Sequence, residues 1–219
     1  MRKVIAGAMV SLDGVMQAPG GPEEDRSGGF KFGGWTHPLF DDVMGGAMGR
    51  MFSEQFDLLL GRKTYEIFAA YWPYKDDAFG RAFNKARKYV ATRTLKNLTW
   101  QNSTAIRDAA ADVARLKKED GPNLLIQGSS DLVQTLLAKD LIDEITLLIF
   151  PVVLGSGKRF FGKGAVPANF TNTDPKISTT GVVIGNYHRA GTVKTASLPD
   201  DGPPSADELA RREKVKREG

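Results

Sequence analysis

Short apolar runs alternate with longer stretches of helical spacing along most of the chain. Val4–Val10 is apolar and runs into Asp13-Gly14, which predicts a first strand closed by a turn. Residues 17–35 (QAPGGPEEDRSGGFKFGGW) are rich in Gly, Pro and charge, and predict a long loop of the functional or mobile kind. His37–Glu54 places Leu39, Val43 or Met44, Met48 and Met51 or Phe52 on one side, the spacing of a helix. Asp57–Leu60 reads as a buried strand running through Gly61-Arg62-Lys63-Thr64 into a helix that ends near Phe68. A helix is predicted over Asp77–Ala86, a strand over Tyr89–Thr92, and a helix over Asp108–Lys118, where Ala110, Val113, Ala114 and Leu116 recur. Leu124–Ile126 is a further buried strand, passing through Gln127-Gly128-Ser129-Ser130 into a helix at Asp131–Ala138. Ile145–Val153 is nearly all apolar, as for a central strand covered on both faces. Asn169–Thr173 and Gly181–His188 read as late strands, forming a closing antiparallel hairpin.

Strands alternating with helices predict an α/β fold with a mainly parallel sheet and helices on both faces. The pattern changes after residue 194. Pro203-Pro204 ends the ordered body, and Ser205-Ala206-Asp207-Glu208 is a capping-box pattern that predicts a short charged helix. No apolar stripe anchors that helix, so fraying is expected. The division is therefore a body at 1–194 and a charged tail at 195–219.

Composition narrows the chemistry. With 219 residues the chain can build one sizeable core, and 41% hydrophobic and 26% charged residues are an ordinary globular mixture. The absence of cysteine excludes disulfides, thiolate nucleophiles and Cys-based zinc sites. The net charge is +4; the tail is about neutral, with five Lys/Arg against six Asp/Glu, so the body carries +5, which suits an anionic small ligand. No dense basic stripe with interleaved aromatics is present, and a nucleic-acid partner is not expected. Asp13 interrupts the apolar start too early for a signal peptide, and no run approaches the roughly 18–20 apolar residues of a membrane span. Cytoplasm is the expected compartment.

Three strand ends open into turns suited to phosphate. LLLGRKTYE combines a tight passage at Gly61 with the charges of Arg62 and Lys63 and the hydroxyl of Thr64, at the start of a helix whose N–H groups and dipole favour anions. A glycine turn with solvated basic residues fits the same letters. YVATRT sets Thr92 and Arg93 at another strand end, where arginine can hold a phosphate monoester bidentately; a plain charged loop also fits. LLIQGSSDL offers close backbone approach at Gly128 and hydroxyls at Ser129 and Ser130, or simply a capped turn. Ligands of open α/β sheets sit beyond the carboxyl ends of the strands, so three such ends together point to a dinucleotide carrying an extra phosphate, NADPH over NADH. There is no GxGxxG fingerprint of a standard dinucleotide fold.

Taken in order, VIAGAMVSLDGVM, LLLGRKTYE, YVATRT, LLIQGSSDLVQTLL and LIDEITLLIFPVVLGSGKRFFG resemble the dihydrofolate-reductase superfamily across residues 2–190. The resemblance is to its riboflavin-biosynthesis branch, the C-terminal domain of the bifunctional deaminase-reductase, and to stand-alone bacterial proteins of that branch. It implies a three-layer α-β-α domain on a mixed, mostly parallel eight-stranded sheet, with an NADPH site. Ala6 and Gly7 would lie by the nicotinamide, with Val15 and Met16 closing on it. Gly61, Arg62, Lys63 and Thr64 would hold the pyrophosphate and adenosine side, and Thr92 and Arg93 the 2′-phosphate. Gln127, Gly128, Ser129 and Ser130 match the glycine-rich pyrophosphate turn, with one glycine where folate reductases have two or three.

The chain departs from folate reductases in two places. Their helix carboxylate falls near Gly45 here, with Asp41 and Asp42 about one turn earlier as candidate acids or as dipole-stabilising residues of a first helical turn. Leu147 or Leu148 stands where they carry a threonine. Dihydrofolate is therefore not expected to be turned over usefully. No deaminase zinc motif is present, and two histidines are too few for a His-rich metal site; no metal is expected. Trp35, beside His37 at the loop edge, and Lys158 and Arg159 after the central strand are candidate substrate-binding residues, the last two for an anionic tail; a surface histidine and solvated charges are the alternatives. The implied activity is NADPH-dependent reduction of a small heterocyclic or carbonyl-like substrate. Reduction of 5-amino-6-(5-phosphoribosylamino)uracil and non-catalytic NADPH binding are the alternatives, with an interaction role for the tail a third. The Ile145–Leu154 run and the late hairpin, as a sheet edge or face, suggest a homodimer.

Overall fold

A computed structural model describes residues 1–162, 165–197 and 202–218. The strands are β1 (Val4–Ser11), β2 (Phe56–Gly61), β3 (Lys88–Ala91), β4 (Ser103–Ile106), β5 (Asn123–Gln127), β6 (Glu144–Phe150), β7 (Phe170–Asn172), β8 (Lys176–Ile177) and β9 (Val183–Arg189). The helices are α1 (Asp42–Met51), α2 (Arg62–Ala69), α3 (Ala78–Lys85), α4 (Ala109–Leu116), α5 (Ser130–Leu137) and α6 (Ala206–Glu218). The sheet runs β4-β3-β2-β5-β1-β6-β9-β7, and β8 pairs with β9 beside this path. Strands β1 to β6 are mutually parallel where they pair, and β9 turns antiparallel to β6, β7 and β8.

Alternation along the strands builds two apolar layers. Val4, Ala6, Ala8 and Val10 of β1 pack with Val113 and Leu116 of α4 and Leu132, Val133 and Leu136 of α5. On the other face, Leu58 and Leu60 of β2 meet Tyr65 of α2 and Phe83 of α3, while Met44 of α1 packs on Leu148 and Phe150 of β6. Leu58, Leu59 and Leu60 are all fully buried, because β2 is covered from both sides. Each contributes about 1.5–3 kcal/mol of burial.

Several sequence expectations need correction. Among the described residues the sheet has nine strands, not eight: eight make the continuous path, and the two-residue β8 is the addition. β4 and β8 were not expected, since both are short and β4 is a half-polar edge strand. The single helix expected over His37–Glu54 is a 3-10 turn at His37–Leu39 followed by α1. Phe40 is extended, and the Asp41 carboxylate accepts the Met44 N–H, which restarts the helix at Asp42. The strand expected to reach Val153 stops at Phe150, where Pro151 has no N–H for the ladder. β6 lies between β1 and β9, so both its edges are taken and it offers none to a twin subunit. In the tail, α6 is longer than a frayed turn, with Ser205 Oγ accepting the Glu208 N–H and none of its residues buried.

Candidate functional site

A cavity of about 860 Å³ opens beyond the strand ends, within the roughly 300–1,000 Å³ usual for small-molecule sites. Register creates it. β2 and β3 finish level, with Gly61 opposite Ala91. β5 stops at Gln127, opposite Gly7, while β1 runs on to Ser11. Gly7, Ala8 and Met9 thereby line the floor. A Cβ at Gly7 would lie 2.6 Å from Gln127 Nε2, so any larger residue there would displace the Gln127 side chain.

The starts of α2, α4 and α5 meet the cavity, and they are not capped alike. Carboxylates of Asp41, Asp77 and Asp108 cap α1, α3 and α4, each accepting N–H groups of the first turn. α2 and α5 have no side-chain cap, and the first turns of both line the cavity. Ser129 stands at the cap position of α5, but its hydroxyl is used elsewhere. It accepts the Gly61 N–H at 2.7 Å and donates to Thr64 Oγ1 at 2.7 Å. Gly128 and Ser129 both have positive φ, 80° and 68°. For serine that conformation costs about 1–2 kcal/mol, which the two cross-turn hydrogen bonds offset. The N–H groups at the start of α2 and α5 are left for a ligand, next to the positive ends of two helix dipoles.

Cations ring the same end. Lys63 and Arg93 are exposed, line the cavity and form no ion pair with described residues; Arg62 pairs with Glu66 at 2.9 Å. Thr92 is buried, its Oγ1 accepting the Leu95 N–H at 3.1 Å. Arg107, just past β4, donates to the carbonyls of Thr92 (2.9 Å) and Leu95 (3.2 Å) and so fixes the turn that presents Arg93.

The opposite end is formed by the long loop. Met16, Gln17, Ala18, Pro19, Glu24 and Asp25 line it together with Lys158. The loop is fastened to itself: Gln17 Nε2 donates to the carbonyls of Asp25 and Ser27, and Gln17 Oε1 accepts the Lys158 N–H. Trp35 Nε1 donates to the Gln17 carbonyl, Thr36 Oγ1 to that of Pro19, and His37 Nε2 lies 2.9 Å from that of Gly20. Asp25 is ion-paired with Lys158. Burial pushes the Asp25 carboxyl up, but the Lys158 and Ser27 hydrogen bonds outweigh this and hold it below its ordinary value. At Glu24 burial prevails and the carboxyl is raised above its ordinary value.

The structure brings most of the expected residues to this cavity. Gly7, Met16, Gly61–Thr64, Thr92, Arg93, Gln127–Ser130 and Lys158 line it. Ala6 and Val15 are fully buried and lie outside the lining. Trp35 is spent on the loop and on an edge contact with Phe150, ring centroids 5.2 Å apart. Arg159 faces Asp13 at 3.3 Å. Asp13 itself is a turn former: it accepts the Ser11 hydroxyl and the N–H groups of Leu154 and Gly155, which hold it down to about 2. His188 lies 3.7 Å from Glu144.

The candidate acids are not brought to the cavity. Asp41 caps α1 and ties it to the N–H and hydroxyl of Thr179, and the Thr179 hydroxyl bond is the main cause of its low value of about 2. Asp42 is exposed and outside the lining, and so is Gly45. α1 meets the floor at its other end, where Met51 Sδ accepts from Gln127 Nε2 at 3.0 Å. Glu24, Asp25 and Arg107 were not singled out from the sequence. Arg107 was legible in principle as a further strand-end arginine, had the short β4 been recognised. Nothing local distinguishes Glu24 from its neighbour Glu23, which pairs with Arg26 on the surface.

Known proteins share this architecture. The chain is 28% identical over 196 residues to the uncharacterized protein YyaP of Bacillus subtilis (strain 168), covering 87% of this chain and 96% of that one. It is 36% identical over 108 residues to YwjB of the same organism, 48% of this chain and 57% of that one. A putative riboflavin biosynthesis protein from Shewanella sp. PV-4 superposes with TM-score 0.62 at 21% identity, over 86% of this chain and 99% of that one. A dihydrofolate reductase from Enterococcus faecalis, complexed with NADP(H) and RAB-propyl, gives TM-score 0.56 at 14% identity, over 85% and 96%. These neighbours establish the dihydrofolate-reductase-like α/β fold. The family model of the RibD C-terminal domain matches residues 2–184, and the chain belongs to that family.

Proposed function

We propose that this protein is an NADPH-dependent reductase that passes hydride to a small heterocyclic or carbonyl-like acceptor. One observation carries the reading: two uncapped helix N-termini, of α2 and α5, open side by side on a cavity whose rim holds Lys63 and Arg93, cations without an ion pair among the described residues. Each terminus suits a phosphate oxygen, and two together suit a pyrophosphate. Thr92 and Arg93, one strand further out, suit the extra phosphate that separates NADPH from NADH. The glycines fit such a ligand as well, since a Cβ at Gly61 would lie 3.0 Å from Ser129 Oγ and disturb the cradle. The family, and the Enterococcus reductase described with NADP(H), support the same cofactor.

When bound, the cofactor supplies hydride from its nicotinamide. The chain's part is placement. Gly7 and Met16 would flank the ring, with Ala6 and Val15 packed behind them, and Gly61–Thr64 and Gln127–Ser130 would hold the pyrophosphate. The fastened loop would wall the acceptor end. Dihydrofolate is not a useful substrate on this reading, because α1 presents no carboxylate to the cavity. A phosphoribosylamino-pyrimidine draws support from Lys158 and from the Shewanella neighbour's description, but Lys158 is already paired with Asp25. The protein is further proposed to be cytoplasmic; no helix among the described residues is long and apolar enough to cross a membrane. Residues 1–194 are proposed as the reductase unit, and pairing as a homodimer would have to use β7, β4 or a sheet face, with mass in solution as its check.

Purified protein mixed with NADPH and a panel of quinones, imines and aldehydes should oxidise NADPH in the presence of an acceptor. Binding without oxidation across the panel favours a non-catalytic NADPH-binding protein. Absence of binding overturns the reading.

A further inference from the structure

The cavity is charged unevenly. Arg62, Lys63, Arg93 and Arg107 outnumber Asp108 and Asp131 at one end, and Glu24, Asp25 and Lys158 line the other. At the second end the Lys158 ammonium is taken by Asp25, so the charge left over is that of Glu24. An acceptor with a phosphate there would meet a carboxylate, with no unpaired cation among the described lining residues of that end.

Glu24 is also held in place. Its N–H donates to the Gly21 carbonyl at 3.2 Å, and its Oε2 accepts the Gly20 N–H at 2.6 Å. Gly20 is in turn fixed through His37, and Pro19 through Thr36. The carboxylate is therefore held at the cavity lining by a fastened turn, hydrogen-bonded by the backbone of Gly20 and Gly21. The groups that face it are Asp25, whose charge raises its proton affinity, and His37, which lowers it; Lys158 acts on it only through Asp25, and Glu23 is engaged by Arg26. Asp41 and Asp42 on α1 are outside the lining, so Glu24 has no rival from that helix.

Resting on the cofactor reading above, we propose that Glu24 is the carboxylate that binds the acceptor, and that the acceptor is a compact, unphosphorylated ring presenting N–H donors. A carboxylate beside the nicotinamide end recognises such a ring by charge-assisted hydrogen bonds, as it would a guanidinium. The same charge turns phosphorylated substrates away.

The test uses protein loaded with NADPH, so that the cationic end is filled. Isocytosine, whose ring N–H and amino group lie side by side, is titrated into wild type and Glu24→Gln. Glutamine keeps an acceptor for the Gly20 N–H, so the loop should stand, and unchanged NADPH affinity verifies it. Expected is isocytosine binding that weakens about tenfold or more in Glu24→Gln, the loss of a charged hydrogen-bond partner, with partial recovery in Glu24→Asp. Wild-type affinity should also fall as pH drops through the raised Glu24 value, a dependence absent from Glu24→Gln. Guanosine monophosphate, the same donor pair with a phosphate, should bind more weakly than isocytosine. Equal isocytosine affinity in wild type and Glu24→Gln, no isocytosine binding, or tighter binding of the phosphorylated probe overturns the proposal while leaving the cofactor reading intact. Failure of NADPH itself to bind overturns both.

Discussion

Ser129 Oγ lies 2.7 Å from Thr64 Oγ1, which fastens the turn after β5 to the helix that follows β2. The two elements are 65 residues apart in sequence, and this bond, with the Gly61 N–H on the same Ser129 oxygen, sets two helix starts side by side.

Replacing Ser129 by Ala should therefore weaken cofactor binding as well as the fold. Each lost hydrogen bond is worth about 0.5–1.5 kcal/mol, and the buried Gly61 N–H is left without its partner. Ser129→Gly removes the same bonds but relieves the left-handed backbone. Calorimetry should find both variants binding NADPH weakly, with the glycine variant melting higher than the alanine variant. Wild-type affinity in Ser129→Ala would show that the tie is irrelevant to the site.

Asp41 is expected to matter for stability and not for turnover. Its value is lowered to about 2 from an ordinary 3.8, chiefly by the Thr179 hydroxyl. A depressed carboxylate stabilises the fold above its unfolded value and loses that contribution as pH falls toward the folded one. Urea unfolding should thus show Asp41→Asn less stable than wild type at neutral pH, with the gap closing as pH falls from 4 toward 2. NADPH oxidation should be unaffected at neutral pH; a large loss of turnover would restore Asp41 as a catalytic candidate.

Lys88 should also favour the folded state as pH rises, in a different window and from a site destabilised below it. It is fully buried, donates to the Asn84 carbonyl at 2.9 Å and sits 4.2 Å from the Trp100 ring centroid. Burial lowers it from 10.5 to about 8. Between those values the unfolded chain holds a proton that the folded chain has released, so stability rises with pH across that window. Each tenfold displacement of proton affinity corresponds to roughly 1.4 kcal/mol. Denaturation at successive pH values should show wild type gaining on Lys88→Met from pH 8 to 10.5; a flat difference would mean that Lys88 keeps its proton.

The fold was legible because strands β1, β2, β5 and β6 are apolar runs flanked by helices of clear spacing. β4 (STAI) and β8 (KI) were not, because an edge position asks little of side chains and pairing alone defines them. The turns that line the cavity could be read from Gly61-Arg62-Lys63-Thr64 and Gln127-Gly128-Ser129-Ser130, because glycine, hydroxyl and charge meet there at strand ends. Ser129 nevertheless bonds across to Thr64 and does not cap its own helix, a choice made by tertiary contact. The loop end of the cavity was illegible for a related reason. Whether Glu24 or Glu23 turns inward depends on hydrogen bonds from Gln17, Thr36 and His37, which no local spacing encodes.

The most direct test is calorimetric titration of the wild-type protein and Arg93→Ala with NADPH and with NADH. Arg93 is exposed, lines the cavity and is free of ion pairs with described residues. A charged hydrogen bond from it to the extra phosphate is worth about 1.5–3 kcal/mol, or roughly ten- to a hundredfold in affinity. The expected result is one site, NADPH bound at least about tenfold tighter than NADH by wild type, and that preference largely lost in Arg93→Ala while NADH affinity stays the same. Equal affinity of the wild type for the two nucleotides, or binding of neither, would contradict the account.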